Sequence, residues 1–99
     1  MGHSEAMQRR LIQERLSRAQ RGSVAAYYEL GVDYSVGRHG LEVDLVEAHN
    51  WFNLAALSGD RRAQVDRAEV AEEMSAFEIA EAQRQARAWL ADGKLALAA

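Results

Sequence analysis

Residues 26–37 read AYYELGVDYSVG, and residues 43–59 read VDLVEAHNWFNLAALSG. In both segments apolar residues recur at spacings of three and four, which is typical of the buried face of an α-helix. Between the segments, Gly37 and Gly40 supply residues that readily adopt positive φ, as a tight turn requires. The two segments are therefore predicted to be helices that pack against each other across a glycine-rich turn.

Helix-capping residues divide the rest of the chain in the same way. A capping side chain precedes each predicted helix and a glycine follows four of the five; the caps are Ser4, Ser23, Asp44, Asp60 and Ser75, and the glycines are Gly22, Gly37, Gly59 and Gly93. Glu47 and Glu78 lie three residues after their caps, which is the spacing of a capping box. No segment alternates with the period of a β-strand. We expect an all-α chain of about five helices.

The large apolar residues are few, because 19 of the 99 residues are alanine. Helices faced with alanine approach closely, so we expect the interior to depend on Trp51, Phe52 and Trp89 together with small residues at the contacts. An aromatic binding surface is the alternative for these three side chains. Tyr27 and Tyr28 are adjacent, so one of them is expected at the surface. The first helix has few apolar residues and is expected to be the most weakly packed.

The order of these residues resembles the Sel-one-like repeat, a helix-turn-helix relative of the tetratricopeptide repeat. The matching positions are Ala26, Leu30, Gly31, Tyr34, Gly37, Asp44, Ala48, Trp51, Ala55, Ala56 and Gly59. The turn between Gly37 and Asp44 is one residue longer than usual, and the pattern of a second repeat fades after Ala63. The resemblance implies a short helical-hairpin solenoid: a basic helix over 1–22, one repeat over 23–59 and a closing hairpin over 60–99, in one domain.

The same resemblance implies a protein–protein interaction adaptor or scaffold of bacterial origin. Catalysis has no support in the sequence, which lacks a phosphate-binding loop, a nucleophile motif and paired metal-ligand spacings. His39 near Glu42 and Asp44 comes nearest to a metal cluster, but a lone histidine in a polar loop is more often a surface residue. We predict a non-enzyme without metal or cofactor.

Composition gives the expected compartment. The chain has no cysteine and no proline, so neither disulfides nor thiol chemistry is expected. It contains no apolar run of membrane-spanning length and no signal-peptide pattern. We therefore expect a cytoplasmic protein with no membrane partner.

Charge is distributed unevenly along the chain. Residues 1–21 carry a net charge of +3 and residues 22–60 a net charge of −5. Glu29 and Asp33 lie one turn apart on a helix that lines the concave face in the superfamily the chain resembles. With Tyr28, they are the predicted contacts for a basic protein partner. A merely solvated helix face is the alternative.

The basic first helix raises a second possibility, which is nucleic-acid binding through Arg9, Arg10, Arg15, Arg18 and Arg21. The spacing of Arg10, Glu14 and Arg18 favours pairing along the helix instead. The arginines also lack interleaved aromatic residues for base stacking. The nucleic-acid hypothesis is therefore the less favoured one.

Self-association is the third hypothesis. A solenoid buries the faces of each repeat against its neighbours, and about three repeats are usually needed for stability. Five helices amount to fewer than that. A homodimer, or a structural unit whose only partner is itself, follows from this shortage of core.

Overall fold

The computed structural model describes the backbone of residues 2–98 and the side chains of residues 4–93. Within that part of the chain all regular structure is helical, which confirms the predicted all-α class. The five helices are α1 (Gly2–Gln20), α2 (Val24–Val36), α3 (Leu45–Leu57), α4 (Arg61–Ala71) and α5 (Ala76–Ala98).

Local capping explains where most of these helices begin. Ser23 Oγ accepts a hydrogen bond from Ala26 N, and Asp60 Oδ1 accepts from Ala63 N. The Ser75–Glu78 capping box is complete, since each residue's side chain accepts from the other's backbone N–H. Each of these bonds satisfies an N–H group that the first turn of a helix leaves without a partner.

Three details of the predicted helix ends are wrong. Ser4 does not cap α1, because the helix begins at Gly2 and Ser4 lies within its first turn. Asp44 caps α3 by accepting from Glu47 N, but the Glu47 carboxylate accepts from Trp51 Nε1 at 3.0 Å and does not close the capping box. Gly93 does not end α5, which continues to Ala98. A helical glycine costs only about 1 kcal/mol relative to alanine, and the helix formers on both sides of Gly93 offset that cost.

Helix α3 lies at the centre of the fold, because α2, α4 and α5 all pack against it. The molecule is only 23 Å deep, which corresponds to about two layers of helices. Helix α1 packs chiefly on α2, at the edge. Helices α4 and α5 both contact α3 more extensively than they contact each other, so α3 joins the predicted closing hairpin to the repeat.

Two of the three aromatic residues predicted for the interior are buried, and Trp89 is partly buried against them. Trp51 and Phe52 are buried and surrounded by small residues; the buried alanines around them are Ala26, Ala48, Ala55, Ala56, Ala63 and Ala86. Trp51 stacks on Tyr27 with ring centroids 6.0 Å apart and meets Trp89 edge-on at 5.0 Å. These contacts support the core assignment of the aromatic residues over a binding surface.

Helices α2 and α3 pack tightly at Gly31. A Cβ atom added there would lie 2.4 Å from Phe52 Cδ1, so no larger residue fits without movement. Tyr34, also predicted to be part of the scaffold, is half-buried and packs against the same core. Gly37 ends α2 in the left-handed conformation with φ 74°.

Candidate protein-binding site

The two faces of α2 present two different acidic surfaces. One face is covered by α1, and the other looks toward α4 across an open groove. The predicted contacts are divided between them: Glu29 and Asp33 lie under α1, whereas Tyr28 lies in the groove.

Asp33 is fully buried, so its predicted position at the surface is wrong. Arg15 Nη1 donates to Asp33 Oδ2, and Arg38 donates to Oδ1 through Nε and Nη2, each at 3.2 Å. His39 Nε2 lies 3.8 Å from the same oxygen. A buried carboxylate needs such partners because leaving it unpaired in a low-dielectric interior costs several kcal/mol.

Glu29 is partly exposed and also faces α1. Its Oε2 accepts from Arg18 Nη2 at 2.9 Å and lies 3.0 Å from Arg15 Nε. The hydrogen bond from Arg18 holds the pKa of Glu29 below its ordinary value. Arg15, Arg18, Glu29 and Asp33 together form what we call the α1–α2 ion cluster. The acidic pair predicted to receive a basic partner thus already holds two arginines of the same chain.

The opposite face of α2 borders the α2–α4 groove, a cleft of about 420 Å³. Its lining residues are Tyr28, Val32, Ser35, Val36, Phe52, Asp66, Glu69, Val70 and Glu73. The floor is apolar, and every charged residue of the lining is an acid. This combination of apolar floor and acidic rim was not predicted, because it needs α2 and α4 to lie side by side.

Tyr28 joins the two walls of the groove. Its hydroxyl donates to Asp66 Oδ2 at 2.6 Å, and this hydrogen bond is the main reason that its pKa is raised. Its ring lies 5.6 Å from that of Phe52, and the Arg62 guanidinium lies 4.2 Å from its centroid on another side. These contacts hold the Tyr28 side chain in one position, where it lines the groove.

Glu69 lies near the end of α4 and Glu73 lies in the turn that follows this helix, and both are exposed. Neither forms an ion pair with any side chain of residues 4–93. Val36, on the α2 wall, is 59% exposed although it is a large apolar residue. The acids would attract a basic occupant, and burial of Val36 would favour one that is partly apolar.

The arginines of α1 do not act as one group. Arg15 and Arg18 belong to the α1–α2 ion cluster, where the 2.9 Å contact of Arg18 with Glu29 is closer than its 4.0 Å contact with Glu14. Arg9, Arg10 and Arg21 are exposed. Phosphate binding through α1 would therefore rely on three of the five arginines while the other two stay in place.

The histidines differ in environment. His49 is 3% exposed within α3, and burial, together with nearby Arg67, lowers its pKa below the ordinary value. Its Nδ1 has no hydrogen-bond partner among the described residues. His39 has φ 58° in the turn after α2 and lies beside Asp33. In the described part of the chain no three His, Cys, Asp or Glu side chains are placed to hold a metal ion.

Comparison with known proteins does not assign this chain to a family. No protein-family model, curated protein or solved structure matches it. The resemblance to the Sel-one-like repeat thus rests on the residues quoted above. None of the described helices is both long enough and apolar enough to cross a membrane.

Proposed function

We propose that this protein is a protein-interaction adaptor of the Sel-one-like repeat type, which binds a basic, amphipathic segment of a partner in the α2–α4 groove. Binding involves no chemical step. The observation that carries the proposal is the groove itself, with its apolar floor and two acids, Glu69 and Glu73, that form no ion pair within residues 4–93.

The geometry suits a partner segment with one apolar face and lysine or arginine beside it. Val36 and Val32 offer apolar surface on the α2 wall, and exposed carboxylates stand on the α4 wall. Burying an exposed valine against a partner contributes up to about 1.5 kcal/mol. Charge complementarity at the rim adds speed of association and selectivity for basic partners.

Relative to the contacts predicted from the sequence, the proposal keeps Tyr28 and moves the acidic contribution to another helix. Glu29 and Asp33 have the charge that was sought, but the arginines of α1 hold them. Glu69 and Glu73 have the same charge at the same spacing and are exposed. A cytoplasmic location and a bacterial origin remain predictions.

A titration with a synthetic peptide tests this proposal. The probe is a lysine- and leucine-containing amphipathic peptide, and its counterpart replaces each lysine with glutamate. We expect calorimetry to detect binding of the basic peptide. The affinity should fall about tenfold with Glu69→Lys plus Glu73→Lys, and it should fall further with added salt.

The matched control is Glu5→Lys plus Glu42→Lys, which makes the same charge change at exposed acids outside the groove. We expect it to bind the basic peptide within about twofold of the wild type, because distant surface charges are screened. Equal weakening by both double variants would reduce the interaction to net charge. It would then reject the groove as the site.

A further inference from the structure

We propose that the face of α2 bearing Glu29 and Asp33 is an exchangeable site for an arginine-bearing helix, and that its second occupant is α1 of another copy of this chain. In the closed chain, α1 fills its own site. In the exchanged pair, each α1 fills the site of its partner. The inference does not rest on the proposed function, because the groove lies between α2 and α4.

The first reason is how α1 is held. It has 19 residues, yet among its described side chains only Ile12 and Ala19 are buried. The directed contacts with α2 come from Arg15 and Arg18 in the α1–α2 ion cluster. The Arg18–Glu29 pair is partly exposed and contributes little net stability, and Asp33 keeps Arg38 as a partner when Arg15 leaves. Detachment of α1 therefore costs less than unfolding of the core.

The second reason is what detachment leaves behind. Without Arg15, the fully buried Asp33 would keep only Arg38 and the more distant His39. Glu29 would lose both of its arginines. This face would then attract a helix that carries two arginines three residues apart, beside apolar residues at the positions of Ile12 and Leu16.

The third reason is the connection between α1 and α2. The two helices are joined by the short turn 21–23, which is closed by hydrogen bonds from Gly22 N to Ala19 O and from Ser23 N to Arg18 O. If this turn opens, α1 of a second copy can make the contacts that the chain's own α1 makes. Because exchange conserves those contacts, it is a low-cost route to a dimer, which high concentration favours.

Two charge-reversed full-length chains provide the test. The first carries Arg15→Glu and Arg18→Glu, so its α1 is repelled by Glu29 and Asp33 of α2. The second carries Glu29→Arg, so its α2 repels its own arginines. We expect each to bind its own α1 poorly. In an equal mixture, the native α1 of the second chain meets the native acidic face of the first.

Light scattering on the mixture decides the proposal. We expect a species of twice the mass of one chain, with a melting temperature above that of either chain alone. A mixture that stays monomeric and gains no stability would overturn it. The matched control carries all three substitutions in one chain, which restores complementarity between α1 and Glu29→Arg within that chain and should reduce dimer formation.

A second measurement covers the case in which repulsion unfolds the first chain. A peptide of residues 4–22 is titrated into full-length Arg15→Gln plus Arg18→Gln, which removes the attraction without adding repulsion. We expect it to bind about tenfold more tightly than to the wild type, whose own α1 competes. The same peptide with glutamate at both arginine positions should not bind.

Two results of this titration would contradict the exchange. Loss of peptide binding with Glu69→Lys plus Glu73→Lys would show that the peptide binds in the α2–α4 groove and not on the face of α2 that bears Glu29 and Asp33. Peptide binding that persists without any dimer in the chain mixture would overturn the second copy as occupant.

Discussion

Helix α3 contributes eight buried residues to the interior, whereas the described part of α1, a helix six residues longer, contributes two. Helix α3 is surrounded by α2, α4 and α5 and is held by aromatic rings and alanine contacts. Helix α1 is held at the edge by arginines that reach acids on α2. Apolar burial is insensitive to moderate salt, while exposed charge pairs are screened. We therefore expect α1 to detach from α2 before the helices around α3 unfold.

The largest expected loss of stability comes from removing a buried side chain of α3. Trp51→Ala deletes a buried ring that contacts Tyr27 and Trp89. It should lower the free energy of unfolding by about 3 to 5 kcal/mol, as is usual for a buried aromatic residue. Urea denaturation measures this. Phe77→Ala, at an 86% exposed site, is the control and should change it by less than about 0.5 kcal/mol.

The helix contact at Gly31 gives the next effect. Gly31→Ala places a methyl group against the buried Phe52 ring and should cost about 1 to 3 kcal/mol. Gly93→Ala is its matched control, because the site is helical and its surroundings are open. That change should stabilise the chain by up to about 1 kcal/mol. Equal effects on thermal unfolding would mean that α2 and α3 are farther apart than described.

At the edge, Arg15→Ala should cost about 1 to 3 kcal/mol, because the buried Asp33 loses one of its cationic partners but keeps Arg38. The loss should change little when unfolding is measured in high salt, because Asp33 is fully buried and salt screens a buried pair weakly. Arg9→Ala removes an exposed arginine of the same helix and should have almost no effect. A loss as small as that of Arg9→Ala would show that α1 is held by packing and not by this pair.

The smallest expected effect is a pH dependence at the centre. Burial and Arg67 lower the pKa of His49, so the folded chain binds a proton there less readily than the unfolded chain. Its contribution is present above the ordinary pKa of 6.5 and is lost as pH falls through and below it. Stability should therefore decline from about pH 7.5 to about pH 5.5. His49→Gln should flatten that slope, and an unchanged slope would contradict the assignment.

Much of the centre could be predicted from the sequence because its signals are local. Ser23, Asp60 and Ser75 cap helices through bonds to residues at most three positions away. The spacing of Trp51 and Phe52 with small residues likewise shows which face of a helix is buried. The prediction that α5 ends at Gly93 was wrong because a glycine alone does not end a helix when strong helix formers continue beyond it.

The surfaces could not be predicted in the same way. Arg15 and Asp33 are 18 residues apart, and Tyr28 and Asp66 are 38 apart, so both contacts depend on where whole helices lie. The sequence indicated an acidic face on α2 that suits a basic helix. It could not indicate that α1 is the basic helix that lies there. The spacing of Arg10, Glu14 and Arg18 had predicted ion pairs within α1 instead of contacts with α2.

The edge-on contact of Trp51 and Trp89 has an optical consequence. Both tryptophans of the chain lie at the packing of α5 on α3, and α1 contains none. Intrinsic fluorescence therefore reports the centre alone, whereas far-ultraviolet circular dichroism also counts the 19 residues of α1. When the unaltered chain is heated, the ellipticity should fall at a lower temperature than that at which the emission shifts. The difference between the two temperatures should be larger at high salt than at low salt.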